Sequence, residues 1–144
     1  MSGAVSSYLL AAGIAFLSAQ VVKYFINGQV GRRKGWRQLY ASGRMPSAHT
    51  ATMAALTTSV LIYDGAGSGL FAVVFVLALI TAYDSMMSRR SVGEQGVALK
   101  KVLAKTLPKE PAPYVALGHT PLEVAVGALW GVSISIFVAF FITK

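Results

Sequence analysis

Residues 5–26 read VSSYLLAAGIAFLSAQVVKYFI, an apolar run whose first charged side chain is Lys23. A helix needs about 20 apolar residues to cross the hydrocarbon core of a bilayer. A secretory signal peptide is the alternative, but it would begin with basic residues and have a shorter apolar stretch, whereas residues 1–7 contain no basic side chain. The run therefore predicts a transmembrane helix.

The composition of the whole chain also indicates a membrane protein. Of its 144 residues, 55% are hydrophobic and only 12% are charged, which lies outside the usual balance of a soluble domain. The absence of cysteine excludes a disulfide framework, a thiolate nucleophile and a thiolate metal site. We predict one all-α domain over residues 1–144, a polytopic membrane bundle whose four transmembrane helices lie at about residues 5–26, 47–63, 68–87 and 120–142.

The compositions of the predicted helices indicate which of them face the interior of the bundle and which face lipid. The second run, Ser47 to Tyr63, is rich in Ala, Thr and Ser, so we expect it to face the interior of the bundle. The third, Leu70 to Ala82, is almost entirely aliphatic and aromatic and should be the most exposed to lipid. In the last run Gly127 and Gly131 stand four residues apart, a spacing that allows another helix to approach closely.

Basic charge is concentrated in two loops. The chain has 13 Lys and Arg against 5 Asp and Glu, and most of the basic residues lie within 27–44 and 88–118. Because short basic loops stay on the cytoplasmic side, we expect both loops there and the termini and the Asp64 turn on the opposite side. Membrane lipids are the partners this charge predicts, and no nucleic-acid partner is expected.

The second basic loop contains a candidate helix. Between Val92 and Leu107, apolar residues alternate with Lys100, Lys101 and Lys105, which suits an interfacial helix on anionic headgroups. An ordinary solvated helix fits the pattern equally well. Three prolines at 108, 111 and 113 should end any helix before Tyr114.

Residues 42–50, SGRMPSAHT, form a loop that turns into the second predicted helix. The backbone N–H groups of Ser47 and Ala48 would be unpaired donors at a helix start, which together with the helix dipole suits a phosphate group. His49 follows within the first turn and could protonate an oxygen leaving group near neutral pH. A polar cap with a histidine reaching toward the interface is the alternative.

Residues 117–123, LGHTPLE, form a second loop that enters a helix, on the same side of the membrane as His49 in this topology. Glu123 follows His119 by four residues, so its carboxylate could hold one imidazole tautomer and leave the other ring nitrogen free to attack phosphorus. A plain capping interaction is the alternative. Both side chains are expensive to bury at a membrane boundary, which favours the functional interpretation.

Four cations fall at the level of the two histidines, namely Lys23, Arg44, Arg89 and Arg90. Such a ring could bind a transferring phosphoryl group, although the positive-inside rule alone would also place basic residues there. Asp84 ends an apolar run and should pair with Arg89 or Arg90, in a structural role. A magnesium site of Asp84 with two glutamates, 94 and 123, is the weaker alternative, because the carboxylates are widely spaced; we expect no metal.

Three segments, taken together and in this order, resemble a known family: residues 45–49 (MPSAH), residues 83–95 with their Tyr-Asp, Arg-Arg and Gly-Glu-Gln elements, and residues 118–124 (GHTPLEV). They are similar to the divergent branch of the type 2 phosphatidic acid phosphatase superfamily, whose distant relatives include the vanadium-dependent haloperoxidases. The resemblance extends from about Lys23 to Gly131.

The resemblance implies roles for individual residues. Lys23 would serve as the first motif's phosphate ligand; Ser47, Ala48 and His49 would supply the second motif's donors and its acid. Arg89 or Arg90 with the nucleophile His119 would form the third motif, oriented by Glu123. In the implied cycle His119 attacks phosphorus, His49 protonates the lipid alkoxide and water hydrolyses the phosphohistidine, without a cofactor.

This sequence departs from the family pattern in three places. Lys23 lacks the arginine-proline pair that normally follows it at a fixed spacing. Ala48 replaces the usual glycine, and the short interval between the third-motif arginine and histidine is stretched to about 30 residues. Membrane members commonly have six spans, so a homodimer could complete the bundle.

We therefore predict a phosphatase that hydrolyses a lipid phosphomonoester in the cytoplasmic leaflet, with phosphatidylglycerophosphate or phosphatidic acid as the substrates the resemblance implies. A polyprenyl diphosphate phosphatase is an alternative within the same chemistry. A non-catalytic binder of lipid headgroups, a small lipid transporter or a membrane scaffold are the alternatives from other classes.

Overall fold

The structure is a computed structural model that describes residues 2–30, 45–113 and 115–142, and these residues form five helices and no strand. Helix α1 spans Ser2–Val30, α2 spans Ala48–Asp64, α3 spans Gly69–Met86, α4 spans Ser88–Thr106 and α5 spans Pro121–Phe141. The all-helical prediction is confirmed. Most of the first basic loop, including Arg44, lies outside the described residues.

Polar caps fix where three of the helices begin. The hydroxyls of Ser47, Ser68 and Thr120 accept hydrogen bonds from backbone N–H groups three residues ahead, at 3.4, 3.1 and 3.3 Å. Each bond pairs a donor that the first turn of a helix cannot pair itself. Helix α4 ends at Thr106, just before the three prolines, as the sequence predicts.

Helices α2 and α5 form the centre of the bundle and run parallel. A β-carbon at Gly131 would overlap the carbonyl oxygen of Ala51, and one at Gly127 would lie 2.6 Å from the carbonyl oxygen of Ser47. Further along, the hydroxyls of Ser59 and Ser135 are 2.8 Å apart and buried. The predicted close approach at the two glycines is confirmed, and the partner helix is α2.

Helices α1 and α3 pack against this pair. The hydroxyl of Tyr8 donates to the carboxylate of Asp64, and the indole Nε1 of Trp130 donates to Ser18 Oγ at 2.9 Å. Helix α1 is therefore antiparallel to both α2 and α5. Helix α3 contacts α2 where Thr57 Oγ1 donates to the Val74 carbonyl at 3.4 Å.

This arrangement gives the bundle two distinct ends. Helices α2 and α5 begin at the end where α1 and α3 finish, here called the site end, and the Asp64 turn lies at the other. Buried positions are frequent on α2 but are only Val74 and Ser85 on α3. The prediction that α2 faces the interior is confirmed, and α3 is largely exposed on the outside of the bundle.

Three helical stretches among the described residues are long and apolar enough to cross a membrane: Ser7–Ile26, Gly69–Thr106 and Pro121–Phe141. The second comprises α3 together with α4, and its apolar part is α3. Helix α2 has 17 residues, or about 25 Å at 1.5 Å per residue. It is thus shorter than the other three and is enclosed by them.

Candidate functional site

The parallel helices α2 and α5 bring two helix starts together at the site end. The Ser47 backbone N–H donates to the carbonyl oxygen of Glu123 at 3.2 Å, which joins the two first turns directly. Each start carries the positive end of a helix dipole and unpaired backbone donors. Two such ends side by side create a surface that favours an anion.

Glu123 links the cap of α5 to the imidazole of His119. Its Oε2 lies 3.0 Å from His119 Nδ1 and also accepts a hydrogen bond from the Thr120 backbone N–H at 3.1 Å. The predicted contact between Glu123 and His119 is therefore present together with the capping interaction, because one oxygen makes both. A carboxylate at Nδ1 favours the tautomer with its proton on that nitrogen, which leaves the lone pair on Nε2.

Burial and backbone contacts hold His119 in place. The side chain is 7% exposed, and its backbone N–H donates to the carbonyl of Ser85 at 2.9 Å. The preceding residue is Gly118, where a β-carbon would lie 2.5 Å from the backbone nitrogen of Arg90. This approach closes the interval of about 30 residues that separates His119 from the arginines in the sequence.

The structure separates the two neighbouring arginines. Arg89 Nε lies 2.6 Å from Asp84 Oδ2, whereas Arg90 Nε lies 3.2 Å from Glu94 Oε1 on α4. The predicted pairing of Asp84 is confirmed, and its partner is Arg89. The charge of Arg89 acts on both histidines. We therefore take Arg89 as the candidate arginine of the site.

Lys23 supplies a buried cation from α1. Only 4% of the residue surface is exposed. Its charge acts on His49, His119 and Glu123, so it lies among the same groups as Arg89. Burying a cation is costly, and a bound anion would offset part of that cost.

His49 is the second residue of α2 and is exposed. It lies within electrostatic range of His119, Arg89, Lys23 and Asp84, so the two histidines share one site. Among the described residues no acceptor pairs with the backbone N–H of Ala48 or His49. These two donors face the same end of the bundle as the cations.

One expected donor is already paired. We predicted a free backbone N–H at Ser47, but this group donates to the Glu123 carbonyl because α5 packs so closely against α2. Ser47 instead caps α2 through its hydroxyl. The predicted role of Arg44 falls outside the described residues. Within them, no group of three or more His, Asp or Glu side chains could hold a metal ion.

Sequence reasoning missed Gln20. Its Oε1 is the buried side-chain atom without a hydrogen-bond partner among the described residues, and it stands one helical turn before Lys23 on α1. A polar residue inside an apolar span was the available signal. The backbone contact of Gly118 was also missed, because glycine is common in loops whether or not another segment packs against them.

Comparison with known proteins places the chain in a family. The profile of the family described as the Divergent PAP2 family matches residues 5–134. The uncharacterized membrane protein YuiD of Bacillus subtilis (strain 168) is 35% identical over 148 aligned residues, which cover 92% of this chain and 94% of that protein. No solved structure matches. The match includes every candidate site residue from Lys23 to Glu123, and the chain belongs to the Divergent PAP2 family.

Proposed function

We propose that this protein is a membrane phosphatase that hydrolyses a lipid phosphomonoester through a phosphohistidine on His119. The observation that carries the proposal is the contact between His119 Nδ1 and Glu123 Oε2 at 3.0 Å, beside two parallel helix starts. A histidine held in this way presents a basic Nε2 toward an anion-binding surface. The membership of the chain in the Divergent PAP2 family supports the same reaction class.

The proposed reaction has two steps. First, His119 Nε2 attacks phosphorus, the bond from phosphorus to the lipid oxygen breaks, and His49 gives its proton to the departing alkoxide. The lipid alcohol then leaves. Second, neutral His49 takes a proton from a water molecule, whose oxygen attacks phosphorus and breaks the P–N bond. Inorganic phosphate and free His119 result, and His49 is again protonated.

Lys23 and Arg89 are the proposed cationic ligands of the phosphoryl group. Both lie within electrostatic range of both histidines, and this range, not pairing, distinguishes Arg89 from Arg90, because Arg89 is paired with Asp84 just as Arg90 is paired with Glu94. The N–H groups of Ala48 and His49, which have no acceptor among the described residues, add donors at the start of α2. In the transition state such groups stabilise charge on the equatorial oxygens without being displaced by solvent.

The proposed topology makes α2 the fourth transmembrane helix. It is enclosed by the other spans, so its 17 residues need not match the full hydrocarbon thickness on a lipid-facing surface. The site end carries the basic segments, which by the positive-inside rule puts it on the cytoplasmic side. The substrate would then come from the cytoplasmic leaflet, with phosphatidic acid and phosphatidylglycerophosphate as the first candidates.

The test is phosphate release from a panel of lipid phosphates in detergent with EDTA present. The panel contains both candidate phosphomonoesters and a polyprenyl diphosphate, and compares the parent protein with His49→Ala. We expect turnover of one phosphomonoester and a loss of roughly 10²-fold or more in the variant, because general acid catalysis contributes about that much. A parent that binds these lipids without hydrolysing any of them would indicate a headgroup binder instead.

The protonation of His119 gives a separate prediction. Its pKa lies below the usual value because burial disfavours the imidazolium; the charges of Lys23 and Arg89 add to this effect, and Glu123 opposes it. With 15N-labelled histidine, a His49→Gln variant leaves one histidine in the chain. We expect its NMR titration midpoint to lie below about 6.5, the value of an unperturbed histidine.

The same shift affects stability. Between the folded pKa and about 6.5, the unfolded chain binds more protons at His119 than the folded chain does. The free energy of unfolding should therefore fall as the pH is lowered through this window, and this contribution should be constant above it. A midpoint above 6.5 in the NMR titration of His119 would contradict the proposal that His119 is a neutral nucleophile.

A further inference from the structure

Helix α4 presents an apolar surface that no other described helix covers. Val92, Leu99, Val102 and Leu103 lie on one side of the helix, here called the apolar face of α4, and the first three are 65%, 51% and 55% exposed. Among the described helices, α4 contacts only α3. Apolar residues in this arc would normally be removed from water.

The other side of the same helix is basic. Lys100, Lys101 and Lys105 lie in its second half, where residues 95–106 contain no Asp or Glu. Glu94, one turn earlier, is already paired with Arg90. An exposed helix with an apolar arc and uncompensated lysines matches the chemistry of an anionic bilayer surface, where the acyl boundary and the headgroups meet.

The first half of α4 holds the segment that leads to His119. A β-carbon at Gly93 would lie 2.8 Å from the Ala116 carbonyl oxygen, and one at Gly96 would lie 3.2 Å from the Val115 side chain. With the contact between Gly118 and Arg90, three glycines hold residues 115–118 against the helix. Contacts as close as these leave little room for the segment and α4 to move independently.

We propose that the apolar face of α4 binds the surface of an anionic bilayer, and that this binding holds residues 115–119 so that His119 stays in the site. The first part is independent of catalysis; only the consequence for turnover rests on the proposed function. Each lysine near an anionic surface favours binding about fivefold, so three together favour it by roughly 10²-fold. Helix α4 then both anchors the site and senses the lipid around it.

The test uses nitroxide labels on the full chain in nanodiscs, and the absence of native cysteine makes each label unique. Val102→Cys places a label on the apolar face, and Lys101→Cys places a matched label on the basic side of the same turn. In anionic nanodiscs we expect the label at 102 to collide with oxygen and be shielded from a water-soluble nickel chelate. The label at 101 should show the reverse.

Two results would overturn the binding. Equal nickel access at both positions would place the apolar face in water. Shielding of position 102 from both reagents would mean that protein covers it, either residues 31–44 or a second copy of the chain.

A label at Leu117→Cys tests the link to His119 without any activity measurement. We expect it to be less mobile in anionic than in zwitterionic nanodiscs. In a variant with all three lysines, Lys100, Lys101 and Lys105, changed to Gln, this difference should vanish. If the mobility of the label at 117 changes neither with the lipid nor with the lysine substitutions, bilayer binding does not hold the segment that leads to His119. This outcome does not depend on what the protein hydrolyses.

Discussion

Replacing His119 by asparagine should lower kcat/KM for lipid phosphate hydrolysis by at least roughly 10³-fold, because removing the nucleophile of a covalent mechanism costs this much or more. Asparagine is preferable to alanine at this buried position. It fills part of the volume and can still donate to Glu123 Oε2, which also caps α5 through Thr120. The measurement is phosphate release, with thermal unfolding in detergent as the check on folding.

Glu123→Gln is the matched control, since glutamine can keep the capping box but carries no charge. We expect it to unfold like the parent protein and to hydrolyse lipid phosphate at least about 10²-fold more slowly, because the imidazole loses its orienting carboxylate. Rapid quenching with labelled substrate should trap an acid-labile phosphoprotein in the parent and none in His119→Asn. Full activity in His119→Asn would remove His119 as the nucleophile.

Local rules in the sequence predicted the parts of the site that lie within one helical turn. The spacing of Glu123 from His119 placed the carboxylate at the imidazole, and the glycines at 127 and 131 indicated a close helix contact. The first depends on the turn that caps α5, because His119 directly precedes the N-cap Thr120, and the second on the spacing along one helix face. Both predictions are confirmed. His119 Nδ1 lies 3.0 Å from Glu123 Oε2, and both glycines lie against the backbone of α2.

Features that depend on how two helices pack against each other could not be predicted from the sequence. Whether Arg89 or Arg90 faces the histidines depends on a rotation of about 100° around one helix. The paired N–H of Ser47 depends on the depth at which α5 packs against α2. The interval of about 30 residues before His119 also does not predict that Gly118 packs against the backbone of Arg90.

Gly131→Ala should lower the free energy of unfolding by roughly 3 kcal/mol, near the upper end of the usual cost of overpacking. The added methyl would overlap the Ala51 carbonyl oxygen, and Ala55 N would lie 2.9 Å from it, so the obstacle is helix backbone and not a side chain that could rotate away. Unfolding in detergent by titration with sodium dodecyl sulfate measures the change.

Gly13→Ala is the control for this variant. It lies within α1, and nothing comes within 4 Å of a β-carbon built there. Since alanine favours a helix over glycine by about 1 kcal/mol, this variant should be as stable as the parent or slightly more stable.

Gly131→Ala should also lose lipid phosphate hydrolysis while still folded, because separating α2 from α5 moves His49 away from His119. Equal stability of both variants would mean that the two helices do not pack at Gly131.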